Sequence, residues 1–347
     1  MGDAPEIAVI VGAYHREPFL LSAVRSVLAQ SLPRDRYELL VTKNFQSDDV
    51  DKFLAAQGIP TRFDDDERIG PWLMRAVRAT RAPLIAFLDD DDEFEPERLS
   101  HVLEVFRSHP DLGLYRNRVR VIDERGEGIP PDRWRPLDRG AWLDRSGPVY
   151  VPAAQRTTLV ELLRAQRTIP FNSSTMVVRR ELLTGSFSDA FERSQLPDLT
   201  LFVLALLGPW GAYLDDQRLT RFRYYAQNVT HRVGWLRHAG EAHRDLAAFA
   251  RTHGQRELAD WLNRYSDHYF RLFFCGTVIE QISERASRRD VARSAGTYLR
   301  YLGQHPAERR LTLEVWSALG YAAVYLFLPG MARRIEAYGP ARRRRRN

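Results

Sequence analysis

The chain has 347 residues, 44% hydrophobic, 28% charged and 11% aromatic; this supplies a substantial core for one large or two modest domains and excludes a fibre, a repeat array or a disordered chain. Its one cysteine, Cys275, excludes an intramolecular disulfide and a cysteine-rich zinc site, and fits a reducing compartment. The net charge of +6 resides in residues 331–347, whose seven arginines and one glutamate leave 44 basic against 44 acidic residues elsewhere, which weighs against a nucleic-acid-binding domain, since that needs a basic face on the folded body.

The apolar run at 7–12 predicts a buried parallel strand, followed by a helix over 17–30 with Phe19, Leu20, Val24, Val27 and Leu28 at helical spacing. A strand at 38–42, a helix at 49–57, a short strand at 61–63, a helix at 71–80 and a strand at 84–88 follow, then the run Asp89-Asp90-Asp91-Asp92 and a helix from Pro96 to Ser108. This alternation predicts a doubly wound α/β sheet. Further on, a strand is expected at 113–122, a surface excursion at 123–150, a helix at 153–167, a strand at 175–178, a helix at 197–207 and two strands at 212–214 and 219–224. Beyond 235 the pattern is helical, which sets the expected organisation as 1–232, a helical region at 233–330 and a basic tail at 331–347.

Four adjacent carboxylates repel one another, and here they follow a strongly apolar strand, at the edge where open α/β sheets bind ligands. Alternation near the strand end could set Asp89 and Asp91 on one side as hard oxygen donors for Mg²⁺ or Mn²⁺. The alternative is a solvated loop or an acidic first turn for the helix at 96.

Phe87-Leu88-Asp89-Asp90-Asp91-Asp92 with Pro96 and Leu99 resembles the metal-binding region of family 2 glycosyltransferases, and the opening IAVIVGAYHREPFLLSAVRSVLAQSL resembles that family's first strand and helix. Ordered blocks of resemblance continue to about residue 230. The resemblance implies the GT-A fold, a mixed, mostly parallel central sheet followed by a helical extension. It also implies an inverting, non-processive transfer of one sugar from a nucleoside-diphosphate sugar to an acceptor hydroxyl. The acceptor would be a polysaccharide, a lipid-linked sugar or a small metabolite.

On this resemblance Asp89 and Asp91 hold Mn²⁺ or Mg²⁺, and the donor meets Gly12, Ala13, Tyr14 and Arg16 at the first strand edge, Asp64, Gly70 and Arg75 in the third block, Asp89 and Asp90 in the acidic run, and Arg223. The family's acidic pair after the second strand is replaced by Lys43-Asn44, so Lys43 would meet an acceptor group, because lysine can only donate. Asn172, Ser173 and Ser174 offer polar groups for sugar hydroxyls. Gly185–Phe191 resembles the block before the catalytic base, which places the base at Asp198, with Glu192 as the weaker candidate. Pro197 replaces the family's glutamate and Tyr225 its histidine, with Asn228-Val229-Thr230 and His231 close behind. Arg133-Trp134 lacks the glutamine and the position of the processive block.

The competing classes are a catalytically silent nucleotide-sugar-binding protein and a nucleic-acid-binding protein resting on the tail alone. The N-terminus lacks a signal-peptide pattern, which makes the cytoplasm the expected location. The apolar stretch 315–328 rises only about 21 Å as a helix, short of a membrane span. It is expected to be a buried helix, a homodimer contact or a peripheral membrane contact, with the arginines beyond it suited to anionic lipids.

Overall fold

Ile7–Ala13 forms β1, buried at every position except Gly12, as a continuous apolar run should be when both faces of the sheet are covered. It lies between β2 (Tyr37–Lys43) and β4 (Leu84–Asp89), parallel to both, and β3 (Thr61–Phe63) extends the parallel half beyond β2. The remaining strands are β5 (Glu93–Phe94), β6 (Leu112–Ile122), β7 (Val149–Val151), β8 (Met176–Arg179) and β9 (Gly211–Arg223). Together they make one mixed sheet in the order β3-β2-β1-β4-β8-β6-β9-β5, with β7 paired to β9. β8 runs antiparallel between β4 and β6, whereas β6 and β9 form a long parallel ladder.

The computed structural model describes residues 4–14, 16–130, 147–166, 169–225, 233–284, 286–304 and 313–327. Arg133-Trp134, the middle of the expected excursion, Asn228-Val229-Thr230, His231 and the arginine-rich tail lie outside the described residues.

The helix Glu17–Leu28 carries Leu20, Ala23, Val24 and Val27 into the core beside β1, and burying each of the larger ones contributes roughly 1.5–3 kcal/mol. The helix Pro197–Leu207 is apolar nearly all round and buried from Leu199 to Leu207, which fixes its direction and therefore that of Asp198 in its first turn. Two expectations change. The strands at 212–214 and 219–224 are one strand, β9. Its register against β6 slips between Arg116 and Arg118, so Asp215–Gln217 are accommodated as an irregularity, and Asp215 accepts bonds from Gln217 N and the Tyr115 hydroxyl. A helix over Gly185–Glu192 was not anticipated, although Phe187, Ala190 and Phe191 have the spacing for one.

Gly70, in the helix Ile69–Arg78, packs against the end of that unanticipated helix. A Cβ there would lie 2.3 Å from the Phe191 carbonyl oxygen and 2.6 Å from that of Glu192. The close approach required at this glycine is between two backbones. Gly70→Ala is therefore expected to lose about 1–3 kcal/mol of stability, read as a lower urea midpoint; an unchanged midpoint would deny the contact.

The described residues fall into two compact units, one from 1–226 and 248–259, the other from 227–247 and 260–347. Helices Val233–Thr252, Arg256–Ser283, Arg288–Gln304 and Leu313–Phe327 follow the sheet region. In the second unit one small core joins Phe270, Cys275, Tyr298, Tyr301 and Ala318, and another joins Val278, Ile282, Val291, Ala295 and Ala322. The apolar helix near the end thus buries Ala318 and Ala322 while Phe327 stays exposed. Among the described residues no helix is long and apolar enough to cross a membrane.

Candidate active site

β1, β2 and β4 end together, with Gly12 opposite Asp89 and Ala13 opposite Lys43, so the acidic run emerges at the C-terminal edge of the parallel half. Its four members face different partners. Asp89 receives the Ser173 hydroxyl at 3.2 Å, and its own N–H donates to Ser174 Oγ at 3.0 Å. Asp90, fully buried, bonds to Arg16 at 2.6 Å and accepts the Tyr14 N–H at 3.1 Å, while its own N–H reaches Gly12 O. Asp91 accepts from Arg16 and, at 3.0 Å, from the Tyr225 hydroxyl. Asp92 accepts the Asn172 side-chain amide at 2.7 Å and the Arg223 N–H at 3.0 Å.

One carboxylate oxygen from each of Asp89, Asp91 and Asp92 lies within 4.8 Å of the others. Burial and then the Asp91 charge push Asp89 up to about 6, and burial raises Asp90 and Asp92 well above the ordinary carboxylate range. Burial opposes the Arg16 cation, but Asp90, Asp91 and Asp89 outweigh it and raise Arg16 further. So much buried negative charge on hard oxygen donors fits a divalent cation of the Mg²⁺ or Mn²⁺ type. Asp89 and Asp91, the pair expected from the sequence, converge with Asp92, while Asp90 stands outside the group, bonded to Arg16 and the Tyr14 N–H. A chain reversal beyond the strand sets these directions, which simple alternation does not reach.

Tyr14 leaves 41% of its surface exposed at this edge, above the buried Ala13. Lys43 does not project: it is 3% exposed, and its ammonium bonds to the Phe45 carbonyl and to Asp51 at 3.0 Å, folding back onto the helix Asp48–Ala56. Asp64 and Arg75 are brought together as a two-pronged pair with both contacts at 2.6 Å, and these bonds raise Arg75 above its usual range. The Arg223 guanidinium is buried behind the acidic run, bonded to the main-chain oxygens of Asp91, Asp123 and Glu124 and to the Glu93 carboxylate. Phe19 lies beneath it.

Asp198 opens its helix, accepting the Leu199 N–H at 2.8 Å on one oxygen and the Asn172 N–H at 3.1 Å on the other. Burial raises its carboxyl, these N–H groups and then Arg116 oppose that, and its charge is felt at Asp89. Glu192, by contrast, is paired with Arg78. Asn172, Ser173 and Ser174, expected to offer groups to sugar hydroxyls, are bonded to Asp92 and Asp89. The sequence points to no part for Asp51 or Arg116 and places Asp92 in the acidic block without a ligand's role; the short polar run after Phe171 is the one signal that this turn touches the acidic site.

Residues 8–183, about half of the chain, match the sequence model of glycosyl transferase family 2. The chain belongs to that family. Among curated relatives, it is 28% identical over 124 residues to the uncharacterized glycosyltransferase alr2836 of Nostoc sp., covering 34% of this chain and 38% of that protein. It is 24% identical over 143 residues to protein CgeD of Bacillus subtilis, covering 37% and 33%. The alignments thus span well under half of these relatives. The fold is similar to that of S. aureus TarS 1–349, with a TM-score of 0.57 and 14% identity over 94% of this chain and 85% of that one. The same TarS fragment in complex with UDP-GlcNAc gives 0.56 and 15% identity, covering 92% and 81%. These likenesses show the GT-A fold of family 2 glycosyltransferases.

Proposed function

We propose that this family 2 glycosyltransferase moves one sugar from a nucleoside-diphosphate sugar to an acceptor hydroxyl with inversion, using Asp198 as base. The observation that carries the reading is the three-carboxylate cluster at the β4 edge with a separate carboxylate, Asp198, linked to it through Asn172, which donates to both Asp92 and Asp198. The similarly folded TarS fragment in complex with UDP-GlcNAc supports a nucleotide-sugar donor. In a single displacement the acceptor oxygen attacks the anomeric carbon and its proton passes to Asp198. The bond to the diphosphate oxygen breaks, and its electron pair leaves with the diphosphate. A divalent ion held by Asp89, Asp91 and Asp92 would supply positive charge for that leaving group. Tyr14, with its open ring and its N–H on Asp90, is positioned for the donor base, and the Asp64–Arg75 pair borders the same edge.

The test is a binding screen of UDP, GDP and dTDP sugars with and without Mn²⁺, followed by turnover and NMR of the product. Binding strengthened by Mn²⁺ and an inverted anomer are expected. Tight binding with no turnover on any hydroxyl acceptor would return the silent-binder reading.

A further inference from the structure

Asn172 is the one non-glycine residue with a positive φ among the described residues, at φ 72° and ψ 110°. Such a backbone is uncommon for an L-residue, though asparagine tolerates it better than most. The turn it makes points its two ends at different carboxylates. Its main-chain N–H donates to Asp198 at 3.1 Å, and its side-chain amide donates to Asp92 at 2.7 Å. The side-chain oxygen accepts the Ser174 N–H at 2.7 Å, and the main-chain oxygen accepts the Thr175 hydroxyl at 2.7 Å, so neither donor can drift. The residue is 6% exposed, which leaves it little access to a sugar.

We propose that Asn172 is a positioning residue that fixes the separation between the cation-side cluster, through Asp92, and the base, Asp198. This rests on the reading of Asp198 as base given above. The chemistry explains the residue type. An aspartate would set one carboxylate oxygen against another at Asp92, and a glycine would keep the turn and the N–H but lose the amide. In an in-line displacement the leaving diphosphate and the acceptor proton stand on opposite sides of the anomeric carbon. A shift of one carboxylate relative to the other therefore misaligns the attack even when both remain bound.

The experiment compares Asn172→Gly, Asp198→Asn and the double variant. Asn172→Gly keeps the N–H and the positive φ. Its kcat is expected to fall about 10–100-fold, as when a supporting bond in a site is lost, with donor KM changed far less. Mn²⁺ binding followed by electron paramagnetic resonance should weaken, because Asp92 loses its donor. With Mn²⁺ raised until each variant is saturated, so that the weaker metal binding no longer contributes, an Asn172 that acts through the alignment with Asp198 gives losses that do not multiply, and the double variant matches Asp198→Asn; a scaffolding role would multiply them. Asn172→Asp, which keeps the N–H but sets a carboxylate against Asp92, should lose more than the glycine variant and gives a second comparison should that one fold poorly. An Asn172→Gly enzyme with the wild-type kcat, or losses that multiply, overturns the inference alone. Wild-type turnover by Asp198→Asn overturns the base assignment and this inference with it.

Discussion

Asp198→Asn is expected to lower turnover about 10²–10⁴-fold, the usual contribution of a general base, with donor binding nearly unchanged. The acceptor hydroxyl is a weak nucleophile until its proton has a destination. Asparagine keeps the size of the side chain and one oxygen to accept the Leu199 or Asn172 N–H, so the helix start survives. It cannot take the proton. The wild-type carboxyl is raised by burial, so it is fully basic only above the ordinary carboxylate range, and activity should fall as pH drops through that value. In the variant the part of this acid limb that belongs to Asp198 should vanish, leaving only the part set by the cation-side carboxylates Asp89 and Asp92. Product NMR adds an independent check, since retention of the anomeric configuration would refute a single displacement. Near-normal turnover would move the base elsewhere, and the pairing of Glu192 with Arg78 makes that residue a weaker substitute.

Asp91→Asn should abolish most turnover while the fold melts near the wild-type temperature. Asp91 is one of three carboxylates whose oxygens converge, and the substitution removes a full charge from the group. Mn²⁺ affinity should drop by more than the roughly 10–100-fold seen when only a supporting partner of a metal ligand is lost. Tyr225 can still donate to the amide oxygen, which spares the local packing. The wild-type enzyme should lose activity in EDTA. If Asp91→Asn turns over undiminished with EDTA present, the cation assignment fails.

The elements that place the site were legible because each had one strong cause. β1 and β4 are apolar runs, and the helix at 197–207 starts on a proline and is apolar beyond its first turn, from Leu201 to Leu207. What escaped depended on partners distant in sequence. Nothing local says that Lys43 turns back to Asp51, that Asp64 takes Arg75, or that Arg223 lies under the acidic run rather than in front of it. The merging of two expected strands into β9 has the same origin, since Tyr115, on another strand, satisfies Asp215 inside the ladder. Family resemblance pointed to Asp89, Asp91 and Asp198. It included Asp92 in the acidic block without giving it a ligand's role, and it offered Asn172 to sugar hydroxyls; the contacts of both follow from a turn geometry that composition and periodicity do not encode.

The acidic run has one more consequence, for how the gene can vary. Its four residues are chemically identical, yet each is held by a different neighbour: Ser173, then Arg16 with Tyr14, then Arg16 with Tyr225, then Asn172 with Arg223. Position along the run, rather than the number of aspartates, carries the information. Losing or duplicating one codon here would leave the acidic character of the segment almost untouched while handing every later carboxylate its neighbour's partner. Such a length change should therefore be far more damaging than replacing any exposed acidic residue, and the repetitive stretch should behave as a segment of fixed length.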